Sequence, residues 1–467
     1  MRDSFAQMAA TFMAWYFQGK DPDMAAVDRI CEAALADGRA VAALYRGIVE
    51  GLCDDFTERG MLVCNEVLLR ILGRVLTLPE GRELAGFLRH QGCASGEALR
   101  NRHAGLVRRP PAPAVRRLRR ILLLSRVTIG ADVLINGILI QRLCRLHPGA
   151  EIVCIGPPHM REVFAHPSVR FRDISYDRHG SLQTRVIQCL EVCAIVQQER
   201  QGLAAGEVVL VDPDSRLSQL GLLPLAAAEE TLYFPSRAVG GETCSLVALT
   251  NRWLDQWAGQ GDFCFPRTWF PDRCLAYARH LMLTLPAQPL VVMNFGVGGS
   301  AVKRVRDPFE ERLIGALLRR GPVTVILDSG KSPAGRQRVE AHLETLRGRY
   351  PVGFFCEGGL PEAQTAGPLL LGFEGSIGAI GAIIAGAAAF FGYDSCCQHL
   401  AAANCTPATV IFGGAPSRRF YHRWRPVSPV GRIHAMPLAG GQEIDLQGVV
   451  NLVEETANSL WRQAAAP

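Results

Sequence analysis

The chain has 467 residues, too many for a single hydrophobic core and enough for two or three domains. Hydrophobic residues make up 48% and charged residues 20%, which excludes a largely disordered chain. The net charge of +6, carried mainly by arginine, suits phosphate-bearing ligands or an anionic surface and equally an ordinary mildly basic exterior; it is too small and too dispersed to indicate nucleic-acid binding.

Residues 1–98 read as helices: DMAAVDRICEAALADG and NEVLLRILGRVL place apolar residues three and four apart, with glycines near their ends. No catalytic constellation appears there, so packing or partner contact is the expected role of this all-α N-terminal domain. Residues 99–116 hold Pro110, Pro111 and Pro113 among arginine pairs and are expected to be a linker. Those arginines suit phosphates or the acidic lipids of an inner membrane, and a charge run of this kind is also an ordinary solvated surface. From Ile121 a strand, turn, helix pattern repeats. ILLLS (121–125), EIVCIG (151–156), VRFRDISY (169–176) and EVVLVDPDS (207–215) read as strands, with helices after VTIGAD and around Leu182–Gln198. SLVALTNRWLDQWAGQGDFCFPRTWFP reads as a helix and hinge. A second unit then begins with strands at 289–296, 323–330, 352–356, 388–394 and 407–414, and with a helix that Ser376 caps. The expected fold is α/β: Rossmann-like, doubly wound domains over 117–272 and 273–467, with ligands at the carboxyl ends of their strands in a cleft.

The fifteen cysteines are scattered, with no paired CxxC, and several lie in apolar runs such as Cys154 in EIVCIG. With no secretory signal evident, a reducing cytoplasm is the expected setting. Cys189 and Cys193 lie one helical turn apart, a spacing better explained by core packing than by metal, and no metal is expected. The longest low-polarity run, Ile377–Phe391, falls short of the ~20 residues a bilayer requires.

Four strand ends carry candidate chemistry. In SRVTIGAD, Gly130 permits close backbone approach, and Asp132 is a potential base or a helix cap. In NFGVGGSAVKR, free amides around Gly298 and Ser300, with Lys303 and Arg304, make a candidate diphosphate cradle; an ordinary loop is the alternative. In YDSCCQHLAAA, Asp394, Ser395 and His399 open a helix suited to a phosphate and a sugar hydroxyl, against a plain Asp-Ser cap. Cys396 and Cys397 have no visible paired base and are set aside. In VDPDSR, Asp212, Asp214 and Arg216 are either an acceptor grip or a structural turn.

Taken in order, LSRVTIGADVLINGILIQRLCRLHPGAEI, NFGVGGSAVKR and GYDSCCQHLAAANCTPATVIFGG followed by Trp424-Arg425-Pro426 resemble glycosyltransferase family 9, the heptosyltransferase-like enzymes of lipopolysaccharide assembly, over about 117–430. The resemblance implies a GT-B fold. It also implies an inverting, metal-independent transfer from a nucleotide-diphosphate sugar, ADP-heptose in the best-known members, with no other cofactor. Asp132 matches the general base, Lys303 the phosphate-binding lysine, and Asp394 and His399 the donor-binding pair. The sequence departs from the pattern at Ala131, inserted between Gly130 and Asp132, at Cys396 for glycine, at Val305 for tryptophan and at Asp328-Ser329-Gly330-Lys331. These departures leave the donor sugar open and bear on the base assignment, while the helical N-terminus points to a specialised acceptor: a saccharide other than the lipopolysaccharide core, a glycolipid or a protein. The alternatives are a sugar-nucleotide epimerase or hydrolase of GT-B fold, and a degenerate nucleotide-sugar-binding scaffold.

Overall fold

The fold comes from a computed structural model that describes residues 4–108, 118–178, 180–259, 261–286, 289–298, 301–362, 366–430, 433–437, 447–448 and 450–451. The described residues fall into two compact units. Met1–Thr128, Leu139–Pro158 and Pro167–Phe263 contribute to the first, and Ile129–Ile138, His159–His166 and Cys264–Pro467 to the second.

The first unit begins with α1 (Ser4–Phe17), α2 (Met24–Ala34), α3 (Gly38–Ala42), α4 (Glu50–Asp55), α5 (Glu58–Leu76), α6 (Arg82–His90) and α7 (Gly96–Arg108). Asp23, Asp37 and Thr57 cap α2, α3 and α5 by accepting first-turn amides, which is why those helices start where they do. On α5, Met61, Cys64, Leu68, Ile71 and Val75 form the buried stripe of a 3.6-residue period. Helix α7 corrects the expected linker, since residues 99–108 are helical. Leu99, His103 and Leu106 line a buried face at helical spacing, a pattern that the neighbouring prolines and arginines obscured. The Pro-rich remainder of that segment, 109–116, lies outside the described residues.

Next come β1 (Arg120–Leu124), α8 (Ile129–Leu146), β2 (Glu151–Gly156), α9 (Met160–Val163), β3 (Val169–Asp173), α10 (Leu182–Ile187), α11 (Cys189–Arg200), β4 (Val208–Asp212), β5 (Thr231–Tyr233) and α12 (Leu246–Ala258). The single helix expected around Leu182–Gln198 is thus two, and Cys189 and Cys193 are buried on the second of them. The strands form a parallel sheet in the order β3-β2-β1-β4-β5. Strands β1, β2 and β4 are buried on both faces, so β1 and β2 read as continuous apolar runs rather than alternating ones, whereas the edge strand β3 is only partly buried. Leu122, Leu124, Val153, Ile155, Val208 and Leu210, alternate residues on three strands, share one core with Phe12, Ile30, Leu44, Ile48, Leu68 and Ile71 of the helices. The helical segment is therefore the cover of one sheet face. Arg102 on α7 fastens it by donating to the carbonyls of Gly221 (3.2 Å) and Ala226 (3.1 Å).

The second unit holds α13 (Asp272–Thr284), β6 (Leu290–Asn294), α14 (Phe309–Leu318), β7 (Thr324–Asp328), α15 (Pro333–Leu346), β8 (Val352–Cys356), β9 (Leu369–Glu374), α16 (Ile377–Gly386), β10 (Ala389–Tyr393), α17 (Cys396–Ala403), β11 (Ala408–Phe412), α18 (Arg418–Trp424) and β12 (Ile433–Pro437). Residues 129–138 of α8 and all of α9 cluster with it. Its parallel sheet runs β12-β11-β10-β6-β7-β9-β8. The apolar run Ile377–Phe391 is α16, capped by Ser376 as expected, followed by most of β10. Among the described residues no helix is long and apolar enough to cross a membrane. Strand β6 lies between β7 and β10, so the chain leaves it to one side and later returns to the other. That reversal opens a crevice outside the carboxyl ends of β6 and β10. In the first sheet the corresponding reversal lies between β1 and β4.

Each large side chain in the shared core contributes roughly 2 kcal/mol by leaving water. A chain beginning at Leu118 loses every helix of that cover. It is expected to aggregate or to melt without a cooperative transition in circular dichroism; a transition at the full-length temperature would show that the helices are a separate domain.

Candidate functional site

At the end of β6, the Asn294 side chain acts as a hub. Its Nδ2 donates to Asp328 Oδ2 at the end of β7 (2.7 Å), and its Oδ1 accepts from the Gly296 amide and the Ser395 hydroxyl (3.1 Å each). The chain then climbs through the exposed Gly298, whose φ of +59° suits glycine, to a single helical turn at Ala301–Lys303. Two glycines after β11 seat that turn. A Cβ on Gly414 would lie 2.2 Å from the Val302 carbonyl oxygen, and one on Gly413 would lie 2.4 Å from that of Lys303. Beyond the turn, the Val305 amide donates to the buried Tyr393 hydroxyl at 3.2 Å.

Lys303 is delivered to the end of β10, where its Nζ lies 2.6 Å from Asp394 Oδ2. Asp394 Oδ1 accepts from Gln398 Nε2, also at 2.6 Å. The ammonium has three donors, so two remain beyond the Asp394 contact, and the Phe420 ring centroid lies 5.5 Å away. Ser395 occupies the cap position of α17, but its hydroxyl is turned to Asn294 and makes no cap bond. The first-turn amides of α17 thus receive no bond from the cap side chain and lie beside a fixed cation, an arrangement suited to an anion.

His399, in the same first turns, is fully buried. Burial, with the Lys303 charge adding to it, drives its imidazole down to about 3, so it is neutral near pH 7. Gln398 Nε2 lies 3.3 Å from His399 Nε2, which assigns the proton to Nδ1, and Nδ1 meets no acceptor among the described residues. The start of α8 packs here as well: a Cβ on Gly130 would stand 2.9 Å from His399 Cδ2 and 3.5 Å from Cys396 Cα. Asp132, two residues on, is buried and accepts from Asn136 Nδ2 at 3.0 Å. Cys397 lies 3.7 Å from Asp328 Oδ2, and burial raises the Asp328 carboxyl above its usual range.

Of the residues singled out from sequence, Lys303 and Asp394 are paired, His399 and Gly130 touch, and Ser395 and Asp132 lie on the same two helix starts. Gly298 is on the exposed approach to the Lys303 turn, and Ser300 lies outside the described residues. Arg304 turns inward, 3.6 Å from Glu310 and 3.3 Å from the Phe295 carbonyl, where it braces the loop. The VDPDSR residues depart from the expected acceptor grip. Asp214 is buried against Arg237, Tyr233 and Ser236. Asp212 is buried, accepts from the Ser215 amide and is raised to about 6 by that burial. Arg216 faces Glu50 at 3.6 Å. With these groups committed to partners inside the protein, the turn is structural. Among the described residues no three His, Cys, Asp or Glu side chains are grouped as a metal site.

The sequence reading gave no role to Asn294, Gln398 or the Gly413-Gly414 pair. All of them lie within NFGVGGSAVKR or GYDSCCQHLAAANCTPATVIFGG, and Gln398 carries one further signal: it lies four residues after Asp394, one turn along α17.

No protein-family model and no curated protein matches this chain. Solved structures do resemble it in fold. The glycosyl transferase family 9 structure from Veillonella parvula DSM 2008 superposes with a TM-score of 0.53 at 14% identity, covering 74% of this chain and 97% of that one. The E. coli ADP-heptose lps heptosyltransferase II gives 0.51 at 16% identity, covering 74% and 100%. The E. coli heptosyltransferase WaaC with ADP gives 0.50 at 15% identity, covering 72% and 99%. The chain therefore has the α/β GT-B fold that these glycosyltransferases share.

Two outcomes follow from the local geometry. Gly414→Ala must push the Lys303 turn aside, because the obstructing atoms are backbone, at a cost of about 1–3 kcal/mol. An unchanged melting temperature would show that the turn is not seated there. A histidine neutral when folded but protonated when unfolded lets the unfolded chain take up protons, so stability falls as pH drops from 6.5 toward 3. Urea midpoints should show His399→Gln sparing about 2 kcal/mol of the loss between pH 7 and pH 5; equal losses in both proteins would place the histidine in water.

Proposed function

We propose that this chain is a heptosyltransferase-like glycosyltransferase that moves a sugar from a nucleotide-diphosphate sugar to a hydroxyl of a saccharide, glycolipid or protein. The reaction proceeds with inversion at the anomeric carbon and without a metal. The observation that carries this reading is the meeting of Lys303 Nζ and the opening of α17 at Asp394, outside the carboxyl ends of β6 and β10. Lys303 and the α17 amides receive the leaving diphosphate, whose charge grows as the bond from its oxygen to the sugar carbon breaks. His399, neutral with its proton on Nδ1, donates to a sugar or phosphate oxygen. Asp132 takes the proton of the attacking acceptor hydroxyl. The fold shared with an ADP-heptose enzyme and with a heptosyltransferase seen with ADP makes ADP-heptose the first donor to try.

Titration calorimetry with ADP- and UDP-sugars tests the donor site. Lys303→Ala should weaken binding at least about tenfold, the effect of losing one charge-assisted contact; unchanged affinity would remove the lysine from the site. Asp132→Asn keeps a group able to meet Asn136 and should bind donor normally while transfer falls about 100-fold or more. Full transfer by that variant would assign the proton to another group. Turnover of the donor with no acceptor present would favour an epimerase or hydrolase.

A further inference from the structure

The first unit holds a run of buried polar side chains that the proposed reaction leaves unused. It begins in the helical segment, where Asn65 Nδ2 on α5 lies 3.4 Å from His103 Nδ1 on α7. His103 Nε2 lies 3.4 Å from the Tyr233 hydroxyl at the end of β5, with the two rings edge to face at 5.3 Å. The Tyr233 hydroxyl lies 2.9 Å from Asp214 Oδ1. The other oxygen of Asp214 accepts from the Ser236 hydroxyl (3.0 Å) and from the Arg237 amide (3.1 Å), and the Arg237 guanidinium pairs with it at 2.9 Å. Ser236 in turn accepts from the guanidinium of Arg126, the second residue after β1.

The Tyr233 hydroxyl also donates to the Leu220 carbonyl at 2.8 Å, so that oxygen and Asp214 share its one proton. Burial holds His103 below its ordinary range, and as a neutral ring it offers one acceptor nitrogen and one N–H to the neighbours Asn65 and Tyr233. Although burial opposes it, Arg237 and Arg126 hold the Asp214 carboxyl below its usual range. Donors thus converge on one carboxylate from both ends, each group bound and oriented by the next. Val127, the residue after Arg126, has φ +59°, a left-handed conformation that a β-branched side chain adopts only when its surroundings impose it. The Val127 amide donates to Ser125 Oγ at 2.8 Å, and the Ser215 hydroxyl donates to the Ser125 carbonyl, so the same VDPDSR loop that carries Asp214 also grips this turn.

We propose that this run is a positioning relay: through His103 and Tyr233, the helical segment holds Arg126 and the strained turn 125–128 from which α8, the helix carrying Asp132, departs. His103, Tyr233 and Asp214 are positioning residues. The relay is a property of the first unit, and only its consequence for transfer rests on the function proposed above.

Hydrogen–deuterium exchange with mass spectrometry on the full-length chain tests it. Tyr233→Phe keeps the ring and removes the hydroxyl. It should speed exchange of peptides spanning 125–128 about tenfold, with peptides from α1 and α2 unchanged. His103→Ala should do the same, and His103→Gln should restore the slow rate. In transfer assays, Tyr233→Phe should lower kcat with the donor KM unchanged. Wild-type exchange at 125–128 in Tyr233→Phe, or acceleration spread evenly over the whole first unit, would overturn the relay. Should the wild-type chain transfer no sugar, the function proposed above fails and the exchange result still decides the relay. If His103→Ala does not fold, Tyr233→Phe carries the test alone.

Discussion

An ammonium group held 2.6 Å from a carboxylate by two loops far apart in sequence requires both loops to arrive within a fraction of an ångström. Here the parallel sheet supplies the coarse placement, because β6 and β10 are neighbours and end side by side. The fine placement comes from backbone packing: Gly413 and Gly414 let the Lys303 turn rest on the loop after β11, and Tyr393 catches the far end of that turn. Asn294 completes the arrangement by tying the ends of β6 and β7 to Ser395. These few contacts set the Lys303 turn and the Ser395 end of the neighbouring loop.

The first unit follows a different logic. Its sheet has an apolar face that the helical segment covers, so the two fold as one body with a continuous core. Buried polar groups run through that core as a hydrogen-bonded chain from Asn65 to Arg126. The carboxylates of VDPDSR are consequently structural. An aspartate in the left-handed region at φ +66°, surrounded by donors, is well suited to hold a turn and poorly suited to receive a substrate.

Much of this could be read from the residues. Continuous apolar runs such as ILLLS and PLVVMNFG identified most of the strands of both sheets, because strands buried on both faces lose the alternation that would mark a half-exposed sheet. The Lys303 and Asp394 loops stood out because their residue types carry charge at strand ends. Two kinds of feature were not legible. The strand β5 at Thr231–Tyr233 has too few residues to show a period, β12 at Ile433–Pro437 is a partly exposed edge strand with no continuous apolar run, and β9 lies between two more conspicuous elements. Long-range partnerships were the other. Nothing near Asp214 in the sequence announces Arg237 or Tyr233, so VDPDSR stayed open between an acceptor grip and a structural turn; nothing near Arg102 announces the carbonyls it reaches, so residues 99–108 read as linker although they form a helix that Arg102 fastens.

The central claim is that Lys303 and the opening of α17 form one diphosphate-binding site. A crystal structure of the full-length chain with a nucleoside-diphosphate sugar tests it most directly. The account predicts phosphate oxygens about 3 Å from Lys303 Nζ and from the first amides of α17. A diphosphate bound elsewhere, with Lys303 making no contact to it, would contradict the account.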